Sequence, residues 1–129
     1  MDLNFDGKRF GSRHANGEGP VAEYRQRGDL LSAEFAGGQV RHGSLAGRVR
    51  SDGTLEFGYC MVLGGNDGND EVVCGRCLST PEILDDGRIL LHEQWERYGP
   101  HADLGTSYLE ELPRSLDQAI ETVEATAVF

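Results

Sequence analysis

Apolar and polar residues alternate along most of this chain, and the alternation breaks at short clusters rich in Gly, Asn and Asp. In the segment 54–63, Leu55, Phe57, Tyr59, Met61 and Leu63 occupy every second position, the spacing that puts side chains on one face of a β-strand. Comparable segments run over 4–13, 20–27, 29–36, 39–50, 71–80, 87–98 and 105–112. Between them fall Asn16-Gly17, Gly28-Asp29, Gly37-Gly38, Asp52-Gly53, the run GGNDGND at 64–70, Asp86-Gly87 and YGPHADLG at 98–105. These clusters supply residues that tolerate positive φ, as tight hairpin turns require.

Eight strands joined by short connections must run antiparallel to their neighbours. A meander with one apolar face either packs as a sandwich or closes on itself, and closure also removes the exposed edges. The pattern therefore predicts an all-β fold, an eight-stranded antiparallel up-and-down β-barrel over residues 1–112. Its interior is either filled by side chains or able to hold one small ligand. After Pro113 the period changes: Ser115 and Gln118 form a capping-box pair, and Leu116, Ala119, Ile120, Val123 and Ala127 recur at helical spacing. A short C-terminal α-helix is predicted over 115–126, within an extension at 113–129.

The facing of each strand decides what lies inside. Leu31, Ala33 and Phe35 turn inward on the third strand, Leu45 and Val49 on the fourth, and Cys60 points outward. On 87–98 the odd set is the more apolar, with Ile89, Leu91 and Trp95, and it carries Glu93 and Arg97 inward with it. A lone buried carboxylate or guanidinium is costly unless paired or hydrogen-bonded, so both need partners or solvent. Gly75, Cys77 and Ser79 share a face of one neighbour, and Ser107, Leu109 and Glu111 a face of the other. On the second strand Tyr24 and Gln26 compete with an equally polar face of Glu23 and Arg25. Two arrangements stay open: a ligand pocket, or a Glu93–Arg97 ion pair plugging the barrel.

The 129 residues suit one domain. The formal charge of −10 is the wrong sign for gripping a phosphate backbone, which excludes nucleic acid as a partner. No run of eighteen apolar residues offers a membrane span, and the N-terminus lacks a signal-peptide pattern, so a cytoplasmic location is expected. Three cysteines, Cys60, Cys74 and Cys77, form an odd set that reads as reduced thiols. Within a strand, the CGRC cysteines at 74 and 77 point to opposite faces, which disfavours redox or metal chemistry. No cofactor and no metal is expected.

The stretches YRQRGDLLSAEFAGGQVRHGSLAGRV (24–49), CGRCLSTPEILDDGRILLHEQWE (74–96) and GTSYLEEL (105–112) resemble those of a family of small bacterial proteins with an avidin-like or lipocalin-like β-barrel. The resemblance covers most of residues 1–112 and implies the same barrel fold. Some members of that family carry the label N-acetylglutamate synthase. Acetyl transfer from acetyl-CoA on the usual scaffold needs a glycine-rich turn feeding a helix N-terminus, and no glycine here precedes a predicted helix. The resemblance supplies no catalytic residues.

The leading expectation is a binding module for a small molecule. Its candidate site residues are Tyr24, Gln26, Tyr59, Cys77, Glu93, Trp95, Arg97, Ser107 and Glu111. The alternative is an enzyme that uses Glu93 and Glu111 as a carboxylate pair in the barrel mouth. A third reading is assembly into a homodimer through the outer wall or the C-terminal helix.

Overall fold

The structure, a computed structural model, describes residues 3–12, 19–65 and 67–112. Its strands are β1 (Arg9–Ser12), β2 (Val21–Arg27), β3 (Leu30–Gly37), β4 (Val40–Val49), β5 (Leu55–Leu63), β6 (Glu71–Ile83), β7 (Ile89–Arg97) and β8 (Asp103–Glu111). Each pairs antiparallel with the next, and β8 returns to β1, closing the barrel in sequence order. The meander and its closure are as the alternation predicts. The helix predicted over 115–126 lies outside the described residues.

Two strand boundaries depart from expectation. The first strand is short because Phe5 folds under the barrel: its backbone N–H donates to Gln26 Oε1 at 2.9 Å, and a turn follows in which Gly7 N–H donates to Tyr24 O at 2.8 Å. β6 runs on past Pro81 to Ile83, paired with β7. β5 starts opposite Ser79, so beyond that residue β6 has a free side, where a residue without an N–H is tolerated.

Inner and outer faces separate as period-two patterning requires. On the outer wall Arg48, Glu56 and Arg76 form a cross-strand charge ladder, with Glu56 accepting from Arg48 at 3.0 Å and from Arg76 at 3.4 Å. Cys60 and Cys74, direct partners in the β5–β6 ladder, are joined by a disulfide. That corrects the expectation of three reduced thiols. Only the register, which the spacing of the cysteines does not reveal, sets these two side by side on the outer face. Cys77 is the remaining free thiol and is buried.

The core fills one end of the barrel. Phe5, Phe10, Leu31, Leu55, Ile89 and Leu91 are buried there together. Phe10 packs against Tyr24 at 4.8 Å between ring centroids and against Phe5 at 6.4 Å. Toward the other end, which carries the β3–β4 and β7–β8 turns, inward side chains such as Phe35, Tyr59, Met61, Trp95 and Arg97 are only partly buried. The barrel is thus packed solid at one end and hollow at the other.

Candidate functional site

Three successive rungs of the sheet build the hollow end. The lowest is Leu55, Ser79, Glu93 and Ser107, in register across β5 to β8; above it lie Phe57, Cys77, Trp95 and Gly105, and then Tyr59, Gly75 and Arg97. Register alone therefore puts a serine on each side of Glu93.

Those serines satisfy the carboxylate. Ser79 Oγ donates to Glu93 Oε2 at 3.1 Å, Ser107 Oγ donates to Oε1 at 3.1 Å, and Cys77 Sγ reaches Oε2 at 3.5 Å. Ser79 is completely buried. Burial pushes the Glu93 carboxyl above its ordinary range, and the three hydrogen bonds oppose the shift without cancelling it. The Cys77 thiol is driven far up, first by burial and then by the neighbouring Glu93 charge, so it stays protonated and is a poor nucleophile. Tyr24, buried on the facing wall, has its ionisation pushed up mainly by burial, with Glu93 and Cys77 adding to the effect. Its hydroxyl has no hydrogen-bond partner.

Above this polar floor the walls are aromatic. The Trp95 indole lies flat over Gly105, where a Cβ would come within 2.6 Å of the ring. At Gly75 a Cβ would meet first the Glu96 carbonyl oxygen and then the hydroxyl end of Tyr59, and that hydroxyl donates to Glu96 O at 3.2 Å. Both glycines leave the backbone bare where a ring needs to approach it. Arg97 holds its guanidinium 5.9 Å from the centre of the Trp95 ring, within cation–π range. Its buried Nε lacks a partner. Glu93 and Arg97 form no ion pair, so the salt-bridge plug is not what occupies the interior.

These groups enclose a cavity of about 310 Å³, at the small end of the range of about 300–1,000 Å³ that small-molecule sites span. Of the candidates from the sequence, Tyr24, Tyr59, Cys77, Glu93, Trp95, Arg97 and Ser107 line it. Gln26 and Glu111 do not. Gln26 sits at the packed end, accepting from Phe5 N–H and donating from Nε2 to Gly28 O at 2.8 Å. Glu111 is also at that end, accepting from Ile89 N–H at 3.1 Å and facing Lys8 Nζ at 3.4 Å. Leu109 stands between it and Ser107 on β8, so the two carboxylates of the enzyme reading do not share a cleft.

Sequence reasoning left Ser79, Phe10, Phe35, Phe57 and Met61 out of the candidate set. Ser79, which directly supports Glu93, was legible on the inward face of β6 beside Cys77. The aromatic lining was legible as inward parity but could not be divided between packed core and cavity wall. Among the described residues, no group of three or more His, Cys, Asp or Glu is placed to hold a metal ion. No helix among them is long and apolar enough to cross a membrane.

A closed eight-stranded meander, hollow at one end with a polar cluster at the base of the hollow, belongs to the class of small up-and-down β-barrels. The family model described as Avidin-like protein matches residues 3–112, and the chain belongs to that family. No curated protein matches the chain.

Proposed function

We propose that this barrel is a binding protein for a small molecule with an apolar body, held in the hollow end with one polar group on the floor of Glu93, Ser107 and Tyr24. Trp95 and Tyr59 form its walls and Arg97 stands at its mouth. The observation that carries this reading is the cavity itself: mostly apolar walls converging on a few fixed polar groups, as ligand sites have. Barrels of the avidin-like family typically bind small ligands, which agrees with it.

The site has the features of binding rather than of turnover. Its thiol is held protonated, its carboxyl is engaged by three uncharged donors, and among the described residues no second carboxyl lines the cavity.

Trp95, the single tryptophan of the chain, reports on the cavity directly. Native mass spectrometry of protein purified from its own host should reveal a co-purified small molecule. Adding that molecule back to stripped protein should shift the Trp95 emission. Trp95→Ala should weaken binding by about tenfold or more, or about 1.4 kcal/mol. A barrel that carries no such molecule, and whose emission no small aromatic or aliphatic compound moves, would remove this reading.

A further inference from the structure

We propose that the polar floor of the cavity receives the protonated amine of its ligand, the ammonium lodging between the Glu93 carboxylate and the Tyr24 hydroxyl with the apolar body trailing toward the mouth. This rests on the cavity being a ligand site and adds the chemistry of the group that enters first.

Among the described residues, Glu93 is the one carboxyl lining the cavity, and no cation pairs with it. Its partners Ser79, Ser107 and Cys77 are all uncharged. The nearest candidate cation on its own strand, Arg97, is turned to the Trp95 face instead. A half-buried carboxylate without a countercharge is poorly compensated, so a ligand bringing a positive charge gains what a neutral one cannot, and an anionic one is repelled.

The hydrogen-bond inventory points the same way. The Ser107 hydroxyl proton is directed at Glu93, so that group offers a ligand lone pairs. The Tyr24 hydroxyl, buried and unpartnered, can accept as well as donate. A floor with more acceptors than donors suits a group with several N–H bonds and no acceptor, and an ammonium is such a group. The aromatic walls above it, Trp95, Tyr59 and Phe57, attract a cation through their ring faces. The chain's charge of −10 draws cations toward it. Arg97 stands on the trailing side, where it meets the other end of the ligand.

Isothermal titration of the full chain with three probes of one shape tests the inference: phenethylamine, phenethyl alcohol and hydrocinnamate. Phenethylamine should bind about tenfold or more tighter than the alcohol, and hydrocinnamate weakest. Glu93→Gln should remove the amine's advantage over the alcohol. Equal or tighter binding of the alcohol or of hydrocinnamate, or an amine affinity unchanged in Glu93→Gln, overturns the amine assignment and leaves the cavity reading in place. Absence of binding by all three, with Trp95 emission unmoved, overturns both.

Discussion

Glu93 sets the energetic character of the site. Its folded pKa is raised, so between the ordinary carboxylate value of 4.5 and the folded value the native protein holds a proton that the unfolded chain has released. Stability therefore falls as pH rises through that window. Glu93→Gln keeps the size of the side chain and removes the titration. Denaturant unfolding of both proteins at about pH 5 and about pH 8 should show the variant gaining on the wild type at the higher pH. A constant difference across that range would mean that the carboxyl titrates normally. Glu93 and Trp95 were legible as inward-facing because they share the more apolar face of their strand with Ile89 and Leu91. The serines beside Glu93 were legible only as faces: which serine stands opposite which residue depends on register, and register is fixed by turns and neighbouring strands rather than by the local sequence. For the same reason Glu111 shares the parity of Ser107 but belongs to the other end of the barrel.

At the scale of elements, β6 is the strand that braces β7, the carrier of Glu93, Trp95 and Arg97, from the side. It contributes Cys77 and Ser79 to the interior and is tied to β5 on the outside by Cys60–Cys74. The bond closes a sequence separation of 14 residues, for which loop-closure entropy gives about 3 kcal/mol. Replacing both cysteines by serine should lower the unfolding free energy by about that much. Thiol titration of denatured protein purified without reductant should find Cys77 alone; three free thiols would show that the pair stays reduced. A disulfide persists only where thiols are not kept reduced, so the same titration on protein from its host reports on the compartment. The strands themselves were legible almost throughout, since period two survives in each. The misplaced limits have local causes: the Phe5 side chain plugs the base, and Pro81 sits where β6 has lost its neighbour. Gly105 was read as part of the turn cluster at 98–105, although it lies inside β8 and gives the Trp95 ring its room.

For the molecule as a whole, closure is what makes the barrel self-sufficient. β8 pairs with β1, and Leu112 N–H donates to Arg9 O at 2.8 Å just beyond the last strand. We therefore expect a chain ended at Leu112 to keep its cooperative unfolding and, on the binding reading, its ligand affinity. Thermal unfolding followed by circular dichroism and titration of the shortened chain check this; loss of the cooperative transition would mean that residues 113–129 complete the fold. The barrel was legible because short connections leave a meander few topologies, while the division into a solid and a hollow half was not, because one inward pattern runs through both. That division leaves the described barrel sealed at one end. On the binding reading, a guest leads with one end and leaves by the way it came, so the leading group is inspected closely while the trailing end escapes scrutiny. On the same reading, the guest is accepted even while tethered to something far larger.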